Sequence, residues 1–190
     1  KPGANYTHKK EVHPRFAQLF SIEYKKGYQV IQVKNAFDTS QIAHTYILVP
    51  KSKPVPDQLP EGTLFRTPVQ TVGIAYATHI GYLEKLDLLH TIKGVSEKKY
   101  VKNQEMLKAI RQGKVEEFGP SHNINTEKLL MINPELLLVA PFKDNRYEKI
   151  ADVGIDFAVN ASYMETTPLA RAEWIKFISY FFHQEAKIPL

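Results

Sequence analysis

The chain has 190 residues, 43% hydrophobic and 24% charged, with a formal charge of +5 and no cysteine. That suits one globular domain with a proper core and is too short for two large ones. Disulfides, thiolate metal sites and cysteine nucleophiles are excluded, and no apolar run approaches the roughly 20 residues that a bilayer span needs.

In chain order, residues 1–18 are polar, contain Pro2, Gly3 and Pro14, and read as a loose arm. Phe20–Tyr24 and Tyr28–Val33 flank Lys25-Lys26-Gly27, which predicts a β-hairpin. Thr45–Val49 reads as a third strand. Five prolines between positions 50 and 68 predict a loop that cannot join a central strand. From Val69 the texture changes to alternating strand and helix. Val72–Tyr76 is a strand, and Ile80, Leu83, Leu86 and Leu89 recur at helical spacing. Thr91–Val95 is a short strand, and 103–112 is a helix stopped by Gly113.

Asn123–Ala140 is the most ordered-looking stretch. Asn125 is a good N-cap. Glu127 falls in the first turn, where a carboxylate favours the helix dipole. Asn133 and Pro134 end the helix, and Leu136–Ala140 suits a strand covered on both faces. Residues 144–153 predict a helix with Tyr147, Ile150 and Val153 inward, and Ile155–Val159 the last strand. Thr166-Thr167-Pro168 then offers a cap and a proline for a terminal helix. Its load of Trp174, Ile175, Phe177, Ile178, Phe181 and Phe182 exceeds one face. Either both faces are covered, or a second body follows. Strands joined by helical crossovers imply an α/β fold with a doubly wound, mainly parallel sheet.

Ligands bind at the carboxyl ends of such strands. The loops there hold Thr78, His79, Ser96, His122, Asn123, Phe142, Tyr163 and Met164, taken as candidate ligand-binding residues. The set is aromatic and polar with few carboxylates, which suits a large, partly apolar, possibly anionic ligand. His79 could instead cap the helix that it starts, or with His122 ligate a divalent metal such as zinc. His8, His13, His44, His90 and His183 read as surface. The phosphate-cradling glycine motifs are absent. Gly94-Val95-Ser96 lacks the second glycine of a nucleophile elbow. Glu116–Glu117 reads as a solvated turn, Glu165 as a loop acid, and Arg171 and Glu173 as surface charges. The lysines are scattered beside turns, so nucleic acid is not an expected partner.

Asn125-x-Glu127-x-Leu129-Leu130-x-Ile132-x-Pro134-Glu135-Leu136-Leu137-Leu138 resembles a segment of the substrate-binding proteins of ABC importers for iron-siderophores, haem and cobalamin. Thr78-His79-Ile80, Gly94-Val95-Ser96 and Val153-Gly154-Ile155 resemble further steps of that family in order. Glu165 to Phe177 resembles a block of its lipoprotein branch reading E-T-T-P-L-G-R-A-E-W, with Ala170 for the glycine. The resemblance covers roughly residues 69–185, and 16–50 resembles that branch's N-terminal addition.

The resemblance implies two α/β lobes joined by a long helix, with ligand held between them and no catalysis. It implies an iron chelate or corrinoid ligand, no cofactor, and permease subunits as partners. Glu127 maps onto a permease-docking acid. The expected layout is a flexible arm over 1–18, a β-rich addition over 19–66, an α/β ligand lobe over 67–165, and the start of the inter-lobe helix over 166–190. A second lobe is then expected beyond this sequence. Lys1 in place of an initiator Met fits a processed export signal. The expected location is the periplasm or cell surface with a lipid anchor. Within the class an iron-siderophore leads, with haem, cobalamin or a divalent metal as alternatives. A small flavodoxin-like enzyme is the reading from another class. It predicts residues 168–186 packed fully on the sheet, whereas the lobe reading predicts exposed helix aromatics and self-association.

Overall fold

A computed structural model describes residues 10–143 and 147–188. An N-terminal sheet holds β1 (Lys10–Val12), β2 (Phe20–Lys25), β3 (Tyr28–Asn35), β4 (Asp38–Pro50) and β5 (Thr63–Thr67), paired in that order. The first four form an antiparallel meander, and β5 runs parallel to β4. The predicted hairpin is present. Lys25 pairs with Tyr28, so the turn is Lys26-Gly27, and Gly27, lacking a Cβ, takes its φ of 95° without strain.

Three expectations change here. The arm is not loose throughout: residues 10–12 form β1, while residues 1–9 lie outside the described part. The third strand is longer than Thr45–Val49 and starts at Asp38. The proline-rich loop contains β5, an edge strand bracketed by Pro60 and Pro68 but free of proline itself. Alternate residues Phe20, Ile22, Ile31, Val33, Tyr46, Leu48 and Phe65 face one common core.

The second sheet is wholly parallel, ordered β10 (Phe157–Val159), β9 (Leu136–Val139), β6 (Val72–Ile74), β7 (Ile92–Val95), β8 (Glu116–Glu117). Four short helices connect it: α1 (Ile80–Lys85), α2 (Gln104–Arg111), α3 (Thr126–Ile132) and α4 (Glu148–Asp152). The doubly wound expectation holds, with the strand order reversing between β6 and β9. All four residues of β9 are buried, as expected of a central strand. Asn125 caps α3 by accepting the Lys128 N–H at 3.0 Å. Asn133 ends it in the left-handed region at φ 47°. A Cβ on Gly94 would meet Ile132 and Phe118 at 3.0 Å, so α3 packs close against β7. Glu116–Glu117 is not a turn but a short edge strand, because its backbone pairs with Gly94–Val95. The helix expected over 144–153 spans only Glu148–Asp152, with 144–146 outside the described residues. Val153 lies past its end and is exposed.

The terminal helix α5 (Pro168–Phe181) lies between the two sheets. Thr167 caps it through the Ala170 N–H at 3.1 Å. Trp174, Phe177 and Phe181 are 0% exposed. Toward the first sheet, ring centroids are 4.7 Å apart for Phe20–Trp174, 6.1 Å for Tyr46–Phe177 and 5.2 Å for Phe65–Phe181. The same core cluster continues to Ile74, Leu83 and Leu138 of the parallel half. The expected exposed aromatic face is therefore absent, and with it the surface on which self-association was to occur. Full packing is what the enzyme reading predicts. It arises here because the N-terminal sheet covers the helix, not because the parallel sheet closes on itself.

Two carboxylates fix this cover. Glu173 is 7% exposed and accepts the backbone N–H groups of Arg15, Phe16 and Ala17 at 2.6–2.8 Å. Glu165 Oε1 accepts those of Gln18 and Leu19, each at 3.0 Å, and the Trp174 indole at 3.1 Å. Neither is the loop or surface acid that local sequence suggested. Each neutralises donors on a segment without secondary structure that would otherwise go unpaired. Arg171 stays exposed, as expected of a surface charge, and donates from Nε to the Glu165 carbonyl at 3.0 Å. A last tie joins the sheets directly: the Val159 N–H donates to the Tyr46 hydroxyl at 2.8 Å.

Candidate functional site

The order reversal between β6 and β9 splays the loops that follow their carboxyl ends. Beside them, above β6 and β7, opens a cleft of about 1130 Å³. Thr78 and Ser96 line it, as does Ser121. Thr78 is exposed. Ser96 is 5% exposed and donates to the Gly119 carbonyl at 2.8 Å, so it holds the loop after β8 as well as facing the cleft.

The other candidates are placed differently. His79 is 3% exposed and lies beneath this surface, its Nδ1 lacking a hydrogen-bond partner. Burial pushes its pKa down to about 4, so the imidazole is neutral at ordinary pH. His122 and Asn123 are exposed and line a separate hollow of about 150 Å³ with Tyr147 and Ile150. His79 and His122 thus share no cavity, and among the described residues no group of three or more His, Cys, Asp or Glu could hold a metal. Tyr163 is exposed and donates to the Pro141 carbonyl at 3.0 Å, tying the loop after β10 to the loop after β9. Met164 is half-buried against the main core. Phe142 stands beside the cleft, with its ring 6.1 Å from that of Tyr76. It belongs to the lining of another hollow on the far side.

Several cleft residues escaped the sequence reading. Tyr76 lies two residues past the end of β6, and its hydroxyl is buried without a partner. Tyr100, Lys102 and Asn103 come from the stretch leading into α2, and Glu105 from its first turn. Glu84 comes from α1, where Asn103 Nδ2 donates to it at 2.8 Å. With Glu97, the lining carries three carboxylates against Lys102. The cleft is therefore more acidic than the loop composition suggested. Glu127 stands apart from it, exposed in the first turn of α3.

No protein-family model matches the chain. Two uncharacterized lipoproteins of Methanocaldococcus jannaschii are similar. MJ0878 is 30% identical over 155 residues, covering 74% of this chain and 37% of the relative. MJ0872 is 25% identical over 181 residues, covering 90% and 44%. Among solved structures, the petrobactin-binding protein YclQ of Bacillus subtilis superposes with a TM-score of 0.52 at 15% identity, over 83% of this chain and 47% of that one. The siderophore-binding protein BauB gives 0.53 at 18%, over 70% and 47%. At such identities the likeness is one of fold. The chain spans less than half the length of each.

Proposed function

We propose that this chain, which has the fold of solved siderophore-binding proteins, is the N-terminal ligand lobe of an ABC-importer substrate-binding protein that captures an iron chelate. One observation carries the reading: an open cleft of about 1130 Å³ beside the topological switch point, where this fold class receives its ligands. In this reading residues 67–165 form the lobe and 19–66 an added sheet that braces it. Residues 166–190 lead toward a second lobe in a longer protein, and that lobe supplies the other wall of the cleft. The role is binding and delivery, not catalysis. The lipoprotein names of the similar archaeal proteins support a place outside the cytoplasm on a lipid anchor. A siderophore chelate leads over haem and cobalamin because YclQ and BauB bind siderophores.

The test is thermal unfolding of the longer protein with ferric siderophores, haem, cobalamin and divalent metals. A ferric chelate at a hundredfold excess over its Kd is expected to raise Tm by about 3 °C. A shift with zinc or manganese alone would replace the chelate with a metal ion, and no shift with any of them would remove the reading.

Glu127 supplies a second check. Its carboxylate is exposed at the start of α3 and lines none of the cavities described above. We assign it to permease docking, where rim charges steer and orient a partner. Glu127→Ala is expected to change chelate affinity by less than about twofold while reducing uptake about tenfold or more. Parallel losses of affinity and uptake would move the residue into the binding site.

A further inference from the structure

The hollow beyond Phe142 is a different chemical environment from the cleft. It encloses about 610 Å³ between the far end of the β3–β4 hairpin and the carboxyl ends of β9 and β10. That is within the usual range for small-molecule sites, roughly 300–1,000 Å³. Its walls are rings in sequence. His44 stacks on Tyr46 at 6.0 Å, contrary to its reading as a surface histidine, and meets Phe157 edge-on at 6.2 Å. Phe157 lies 5.2 Å from Tyr147, and Tyr147 lies 6.2 Å from Phe142. Phe37 faces this arc from the hairpin, with the Lys143 ammonium 5.3 Å from its ring centroid.

The hairpin is shaped to reach this place. The β3–β4 ladder slips twice, between Val33 and Lys34 and between Lys34 and Asn35. Such irregularities bend a strand and re-aim its side chains. Here they leave Lys34 lining the hollow, in no ion pair among the described residues. Among the described residues, two ammonium groups thus border the hollow against one carboxylate, Glu148, whereas the neighbouring cleft carries three carboxylates. Phe37 and Phe142 remain 42% and 36% exposed, although each has a large ring beside a concavity.

We infer that this hollow is a separate binding site for a planar aromatic anion, such as an aryl carboxylate. The ring packs against Phe157, Tyr147 and Phe142, and its charge meets Lys34 and Lys143. Rings stack edge-on or offset on such walls, and the anion has the two cations available to it. The same anion would be repelled by the carboxylates of the cleft. The inference goes beyond chelate capture and stands on the hollow itself, so a chelate that fails to bind the cleft leaves it untouched.

The test uses the 190-residue chain and three probes: benzoate, benzyl alcohol and acetate. Amide resonances are followed as each is added. Benzoate is expected to give saturable shifts centred on Phe37, His44 and Phe157, with benzyl alcohol and acetate at least about tenfold weaker. Lys34→Ala with Lys143→Ala is expected to weaken benzoate about tenfold, and Lys34→Arg with Lys143→Arg to restore it to within about threefold. The arginine pair separates a loss of charge from a loss of folding. Equal binding of benzyl alcohol and benzoate overturns the anion assignment. Shifts centred on residues 75–78 and 96–105, or no saturation by about 10 mM benzoate, overturn the site.

Discussion

Phe177→Ala is expected to lower the stability of the chain by about 4 kcal/mol, the upper part of the range for emptying a buried aromatic site. Phe177 is fully buried in the middle of α5. Its ring touches those of Phe20 from β2, Tyr46 from β4, and Trp174 and Phe181 from its own helix. Removing it opens a void where sheet and helix meet, and none of these four rings can swing in without leaving its own partners. Urea unfolding measures the effect as a lower midpoint with an unchanged slope. Leu169→Ala, at the exposed start of the same helix, is the control and should stay within about 0.5 kcal/mol. A loss under about 1 kcal/mol for Phe177→Ala would mean that the two sheets do not share one core.

Glu173→Ala is expected to cost about 3 kcal/mol, through a different mechanism. Its carboxylate accepts the N–H groups of Arg15, Phe16 and Ala17, and it also pairs with the Lys176 ammonium at 2.7 Å. Truncation strands several donors at once, of which the Ala17 amide is buried. The effect also depends on pH. Burial pushes the carboxyl up, but the Lys176 ammonium and the three amides outweigh it and hold it below the ordinary glutamate value of 4.5. A carboxyl whose folded pKa is depressed stabilises fully above the unfolded value and loses that contribution as pH falls through the folded one. The gap between the wild-type chain and Glu173→Ala should therefore be constant around neutral pH. It should narrow only below about 4.5. A gap that widens in acid would show that the buried carboxyl is protonated in the folded chain.

The parts of the fold that were legible from sequence are those whose causes are local. Asn125, Glu127 and Asn133 set the limits of α3 from within one short segment, and the apolar run of β9 follows from burial on both faces. Strand-to-loop transitions at Thr78 and Ser96 also place those residues at the cleft once the sheet is known to be parallel. What escaped depends on distant partners. β5 is a strand only because β4 offers it an edge, and β8 only because β7 does. Glu165 and Glu173 look like surface acids until segment 15–19 is laid against them. His79 has the sequence position of a ligand group, but helix α1 turns it under the cleft and into the interior. The acidity of the cleft was hidden because Glu84 and Glu105 belong to helices, not to the loops that follow strands.

The two carboxylates that hold segment 15–19 have an effect on the order in which the chain can assemble. The bonds they accept span 146 to 158 residues. A ribosome releases the N-terminus first, so the meander of β1 to β4 can pair early, since each strand finds its neighbour nearby in sequence. Its inner face, with Phe20, Ile22 and Tyr46, then has nothing to rest on until α5 emerges. A helix made well over a hundred residues later covers the sheet made before it. Between those moments the nascent chain shows an apolar sheet face to the cell, and that interval is when it is most open to mispairing or to capture by chaperones.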